Sequence, residues 1–203
     1  MWYNQERRNE PMTEKIKASI MDATKIRRIL ARMATEILER NRDLRSLAIV
    51  GIRTRGIYLA KRIARLIQTM EGIDVPVGII DITGYRDDRP GRRAKPAAPK
   101  SEIPFSIDKK DVILVDDVLF TGRTVRAAMD FLFDRGRPRS IQLLVLIDRG
   151  HRELPIRANY TGKFLPTSRR ELIQVHLKEF DKSDNVLISE PAGRTAIRKR
   201  TKP

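Results

Sequence analysis

Val112-Ile113-Leu114-Val115-Asp116-Asp117-Val118-Leu119-Phe120-Thr121-Gly122-Arg123-Thr124 decides how this chain is read. The apolar run, with Asp111 before it, predicts a strand at 111–115 buried on both faces. A loop follows at 116–122, then a helix from Thr124 to Asp134 closed by Gly136. Thr121, Gly122 and Thr124 permit a tight turn whose amides and hydroxyls face an anion, and the helix adds the positive end of its dipole. Arg123 adds a full charge. Asp116 and Asp117 would repel that anion, so they suit another part of the same ligand: vicinal hydroxyls, or a Mg²⁺ that the ligand carries. A sugar with a phosphate at one end and a diol at the other meets both demands.

Other readings compete for the same residues. Receiver domains also pair acids after a strand, but at the first strand and without Thr-Gly-x-Thr. A nucleotide P-loop needs Gly-Lys-Ser/Thr, which is missing here. The bland alternative is an acidic loop that caps a helix.

Working outward, apolar residues at Ile26, Ile29, Leu30, Met33, Ala34, Ile37 and Leu38 recur at helical spacing. Asp22 can cap this helix, which ends near Asn41. Residues 46–50 read as a buried strand that stops at Gly51-Ile52-Arg53-Thr54-Arg55-Gly56. A second helix runs to about Glu71, with Gly72 as its stop. Val75–Thr83 is the next strand, 84–104 a mobile Pro-, Gly- and Arg-rich loop, and 140–147 a further strand. Residues 148–170 read as irregular, and 173–178 and 185–189 as short strands. Alternating strands and helices imply an α/β fold with a mostly parallel twisted sheet flanked by helices. The loops 51–56, 84–104, 116–124 and 148–157 then share the rim at the carboxyl ends of the strands, where such sheets bind ligands.

The chain has 203 residues, no cysteine and a net charge of +16. Absence of cysteine excludes disulfides and thiolate metal sites, and no run of 18 apolar residues exists for a membrane helix. A cytoplasmic protein without contact to a membrane is expected. Residues 85–101 carry +4 and residues 191–203 carry +5, a field that attracts polyanions. The expected organisation is a frayed extension at 1–21, one domain at 22–190 and a basic tail at 191–203.

The 112–124 segment resembles the phosphoribosyl pyrophosphate signature of type I phosphoribosyltransferases. More narrowly, residues 22–190 resemble the bifunctional pyrimidine operon attenuation regulators and uracil phosphoribosyltransferases. The resemblance also rests on Val50 to Ala60, on Ile80-Asp81-Ile82-Thr83-Gly84-Tyr85-Arg86-Asp87-Asp88 and on Asp148-Arg149-Gly150-His151-Arg152-Glu153-Leu154-Pro155-Ile156-Arg157. It implies the type I fold with a small hood and a mobile basic loop. It implies conversion of uracil and phosphoribosyl pyrophosphate to UMP and pyrophosphate. Mg²⁺ is then the cofactor, held mainly through the substrate and not by a cage of protein ligands.

On this resemblance Asp116, Asp117, Thr121, Gly122, Arg123 and Thr124 hold the phosphorylated ribose. Arg53, Thr54, Arg55 and Gly56 bind pyrophosphate, and Arg86 closes over it. Uracil is held near 147–152; His151 is read as a loop feature and His176 as structural. The resemblance further implies binding of a leader mRNA hairpin, favoured by uridine nucleotides, through Arg27, Arg28, Arg32, Arg149, Arg152, Arg157 and Lys163. Ala31 and Thr35 stand on the first helix where family members often carry Thr and His. Dimers or larger homo-oligomers are implied as well. Two competing functions stay open: an RNA-binding regulator with a retained nucleotide site and little catalysis, and a purine phosphoribosyltransferase.

Overall fold

The computed structural model describes residues 14–82 and 101–191. Its elements in chain order are β1 (Glu14–Met21), α1 (Ala23–Arg40), β2 (Leu47–Ile52), α2 (Gly56–Glu71), β3 (Val77–Ile80) and β4 (Asp111–Leu119), then α3 (Arg123–Phe133), β5 (Ser140–Asp148), β6 (Tyr160–Phe164), β7 (Leu172–His176), α4 (Lys178–Asp181) and β8 (Asn185–Pro191). Helix signals in the sequence act as expected at both long N-terminal helices. The Asp22 carboxylate accepts from the Lys25 amide at 2.7 Å, and α2 stops on Gly72 at φ 69°.

Five strands form a parallel sheet in the order β3-β2-β4-β5-β6. Each central strand is buried on both faces. Ile113 and Val115 enter the core under α1 and α2, while Val112 and Leu114 enter the core under α3. Each fully buried Leu or Ile side chain contributes roughly 1.5–3 kcal/mol, so this two-sided burial is the main stabilising term. From β2 the chain steps outward to β3, and from β4 it steps the other way to β5 and β6. The carboxyl ends of β2 and β4 therefore flank the topological switch point, where an open α/β sheet leaves a crevice.

A second, antiparallel sheet, ordered β1-β8-β7, forms the small hood. Its first strand corrects the expectation of a frayed extension at 1–21, since Glu14–Met21 pairs along β8. Nearly every side chain of β1 is exposed, so no apolar pattern announced it; the backbone ladder holds it. Residues 148–170 are likewise not all irregular. Tyr160–Phe164 forms β6, an edge strand in which only Tyr160 is fully buried. Strand β4 also continues through Asp116 and Asp117 to Leu119, because Asp116 pairs with Val145 and Leu119 with Asp148. Helix α3 is closed by Asp134 in right-handed geometry and not by Gly136. Gly136 instead lies where a Cβ would meet Asp108 Oδ1 at 2.8 Å. Most of the basic loop at 84–104 and the tail beyond Pro191 lie outside the described residues, and so does Arg86.

Candidate functional site

The end of β4 and the start of α3 enclose a cavity of about 250 Å³, lined by Asp116, Phe120, Thr121, Gly122, Arg123, Thr124 and Glu153 among others. Gly122 turns the chain at φ 93°, a conformation that favours glycine, and serves as N-cap without a side-chain hydrogen bond to the helix. The Arg126 amide donates to Gly122 O at 2.9 Å, which starts the helical ladder. The amides before it belong to the first turn and have no intrahelical carbonyl to meet. The positive end of α3 thus opens on the cavity, and the hydroxyls of Thr121 and Thr124 stand at its wall.

The segment 150–157 closes the other side. Glu153 and Leu154 donate their amides to Thr121 O at 2.9 and 3.2 Å. Leu154 and Ile156 pack 3.4 Å from where a Cβ of Gly122 would stand. Glu153 also accepts from Arg123 Nε at 2.8 Å, so part of the charge that Arg123 brings is balanced at the cavity mouth. Glu153 was not singled out in the sequence, although it lies in a stretch quoted for the family resemblance.

Asp116 is almost fully buried and Asp117 partly so. Each carboxylate turns back on the strand: Asp116 Oδ1 accepts the Asp117 amide and Asp117 Oδ1 the Val118 amide, both at 2.9 Å. Burial pushes the Asp117 carboxyl above its ordinary value, against hydrogen bonding to Asp116 and the opposing charge of Arg55. An acid desolvated this way gains by meeting hydroxyl donors or a cation.

Across the crevice, Arg53-Thr54-Arg55-Gly56 links β2 to α2, and the Arg53–Thr54 peptide bond is cis. Both arginines are held. Arg53 Nη1 donates to Asp81 Oδ2 at 3.2 Å, and Arg55 makes a two-pronged pair with Asp181. Gly51 and Gly56 allow close approach of backbone to backbone. A Cβ on Gly51 would stand 2.7 Å from Gly56 O, and one on Gly56 would stand 2.5 Å from Val115 O. Gly51 therefore seats β2 against the start of α2 and Gly56 seats that start against β4, with Arg55 within electrostatic reach of Asp117.

Of the seven basic residues assigned to RNA, the structure separates three kinds. Arg27, Arg28 and Arg157 are exposed and Lys163 half-buried. Arg32 is exposed, yet it donates to Thr161 O and Gly162 O at 3.0 and 2.9 Å and so bolts α1 onto β6. Arg149 and Arg152 are corrected to internal struts. Arg149 is buried, donates to Thr167 Oγ1, Ser168 O and Glu171 O, and lies 4.1 Å above the Phe120 ring. Arg152 donates to Phe120 O, Gly150 O and Ile156 O. Donors used inward cannot reach an RNA phosphate.

His151 sits beside the site at φ 57°, paired with Thr167 O and edge-on to Phe120. His176 lies on β7 of the hood and is paired with Asn185 Oδ1 at 2.7 Å. No cluster of three or more potential metal-binding His, Cys, Asp or Glu side chains occurs among the described residues. No helix of the described residues is long and apolar enough to cross a membrane.

Comparison with known proteins places this arrangement. Residues 17–179 match the phosphoribosyl transferase domain family. The chain is 56% identical over 176 residues to the bifunctional protein PyrR of Pelotomaculum thermopropionicum, covering 87% of this chain and 97% of that protein. It is 53% identical over 174 residues to the bifunctional protein PyrR of Enterococcus faecalis, covering 86% and 97%. In fold it is similar to the hypoxanthine phosphoribosyltransferase of Trypanosoma cruzi, with a TM-score of 0.67 at 17% identity over 87% of this chain and 98% of that one.

Proposed function

Because this chain belongs to the phosphoribosyl transferase family, we propose that the cavity at the end of β4 holds the phosphorylated ribose of phosphoribosyl pyrophosphate. The protein is a phosphoribosyltransferase of the bifunctional PyrR kind. It joins uracil to the ribose to give UMP and pyrophosphate, and it regulates pyrimidine operon transcription by binding leader RNA. The observation that carries the site reading is the positive end of α3, where glycine at the N-cap offers no side chain and only the Arg123 amide meets Thr121 Oγ1, facing a cavity lined by Asp116.

In the reaction, N1 of uracil bonds to the anomeric carbon as that carbon's bond to the pyrophosphate oxygen breaks, and the N1 proton passes to the departing pyrophosphate or to water. Positive charge grows on the ribose and negative charge on the leaving group. The 5′-phosphate takes the amides and hydroxyls of Thr121 to Thr124, completing a cap that Thr121 Oγ1 supplies only in part. Asp116 and Asp117 take the ribose hydroxyls and set a negative field beside the developing cation. Arg53, Thr54, Arg55 and Gly56 receive the pyrophosphate, joined by Arg86 from the loop outside the described residues. Backbone groups around 147–152 hold the neutral uracil.

The donor set fits Mg²⁺. Asp116 and Asp117 offer adjacent hard oxygens, too few to cage the ion, so it would be held mainly through substrate oxygens and water. When bound, the ion supplies a template and a Lewis acid for the leaving group.

For RNA, Arg27 and Arg28 on α1 and Lys163 on the adjoining β6 supply phosphate contacts, with Arg157 as a further cation. Unpaired loop bases supply specificity. The reading includes a cytoplasmic protein that forms a dimer or larger homo-oligomer. The test is UMP formation with uracil, hypoxanthine and orotate assayed side by side. Nucleotide from uracil alone supports the reading; preference for hypoxanthine overturns the base assignment. A protein that makes no UMP yet shifts a pyrimidine-leader hairpin is a regulator with little catalysis.

A further inference from the structure

Arg55 and Asp181 lie 126 residues apart in the chain, yet they make the most directional contact between the pyrophosphate loop and the hood. Arg55 Nε donates to Asp181 Oδ2 at 3.0 Å and Nη2 donates to Asp181 Oδ1 at 2.7 Å. This is the fork geometry that fixes the plane of a guanidinium as well as its position. The Phe180 ring lies 5.6 Å below the same guanidinium and closes its other side. Asp181 is itself held, since its Oδ2 accepts the Leu177 amide at 2.9 Å.

The pair is not what fastens the hood. Arg62, on α2, does that separately: it donates to Glu179 Oε1 at 2.9 Å and to Asp184 at 2.7 and 3.1 Å. The Arg55 contact uses Nε–H and one N–H of Nη2. Three of the five guanidinium donors remain for a ligand. Arg55 also acts on the Asp117 carboxyl by its charge, so the guanidinium pairs with the hood within electrostatic reach of the acid pair.

We propose that Asp181 is a positioning residue for Arg55, setting the guanidinium edge that meets the pyrophosphate group of the substrate. This rests on the reading of Arg53 to Gly56 as the pyrophosphate loop. A long arginine side chain loses rotamer freedom when it binds an anion. The hood carboxylate removes that freedom beforehand, so the substrate meets an arginine already in place.

The test uses the full chain and phosphoribosyl pyrophosphate with Mg²⁺ as the probe, read by calorimetry and by UMP formation. Asp181→Asn keeps the size and one oxygen acceptor but loses the charge and the fork. It should raise KM for phosphoribosyl pyrophosphate and weaken its binding by about tenfold, the scale of a lost charged hydrogen bond. The maximal rate and KM for uracil should stay within about twofold, because the pair acts on ground-state placement of one substrate. Asp181→Glu, which keeps the carboxylate, should recover most of the affinity. Asp184→Asn loosens the hood through Arg62 without touching Arg55, and thermal unfolding of both Asn variants reports the hood's stability. If Asp184→Asn weakens phosphoribosyl pyrophosphate binding as much as Asp181→Asn does, the role is hood anchoring and the proposal fails. Binding by the unaltered protein that Asp181→Asn leaves unchanged overturns this inference alone. No binding by the unaltered protein overturns the substrate reading beneath it as well.

Discussion

Replacing Gly56 with alanine tests whether backbone contact between α2 and β4 sets the site. The added Cβ would stand 2.5 Å from Val115 O and 3.3 Å from Asp116 Cα. Both neighbours are backbone of a central strand, so no flexible side chain can move aside. On helix propensity alone the change should stabilise by up to about 1 kcal/mol. Overpacking opposes it by about 1–3 kcal/mol, or more where the neighbour is rigid. The contact here is far inside van der Waals distance, which places the cost at the upper end, so the net effect is a loss of about 2 kcal/mol. For a chain of this size that lowers Tm by roughly 4–8 °C. Relief of the clash pushes the start of α2 away from Asp116 and carries Arg53 to Arg55 with it. A displacement of about 1 Å can cost a reaction on the order of 100-fold. Gly72→Ala is the control. It strains a residue at φ 69° where nothing lies within 4 Å, so it should lower Tm and leave turnover unchanged. Thermal unfolding and UMP formation measure both. A Gly56→Ala protein with unchanged Tm and unchanged KM for phosphoribosyl pyrophosphate would refute the reasoning.

Other outcomes follow from the same contacts. Asp117 has a folded-state pKa raised by burial, so its relative contribution to stability is present below the ordinary carboxyl value of 3.8 and is lost as pH rises through the raised value. Asp117→Asn should therefore resist urea better than the unaltered protein near neutral pH but not near pH 3, about a unit below that ordinary value, while turnover falls; lower stability at neutral pH would count against it. Replacing both Asp116 and Asp117 with Asn should depress UMP formation far more than RNA affinity, and equal losses would mean that the two functions share the acids. RNA affinity should fall as salt rises, and Arg28→Ala should flatten that dependence by about one unit of slope. Arg149→Met should instead lower Tm, because it strands the Glu171 carbonyl and leaves Ser168 O with only the Glu171 amide, and should leave the salt slope alone.

The acids and the phosphate turn were legible because they are contiguous. Strand, Asp116-Asp117, Thr121-Gly122 and helix start follow one another within 13 residues, and local geometry suffices to read them. The two N-terminal helices were legible for the same reason, through apolar periodicity, Asp22 and Gly72. Strand β4 was read too short because the apolar run breaks at two acids, and only pairing with β5 carries the ladder past them.

What the amino-acid order determined by itself was everything written in short-range periodicity: the α/β alternation, the caps, the switch from strand to anion-binding turn. Only tertiary structure decided which charges are free to act. Arg28 and Arg149 look alike in a list of basic residues, yet one faces solvent and the other spends its donors on Ser168 and Glu171. The edge strands β1 and β6 and the fork between Arg55 and Asp181 belong to the same class. Each depends on partners distant in the chain, and burial and hydrogen bonding are properties of such meetings and not of the residues alone.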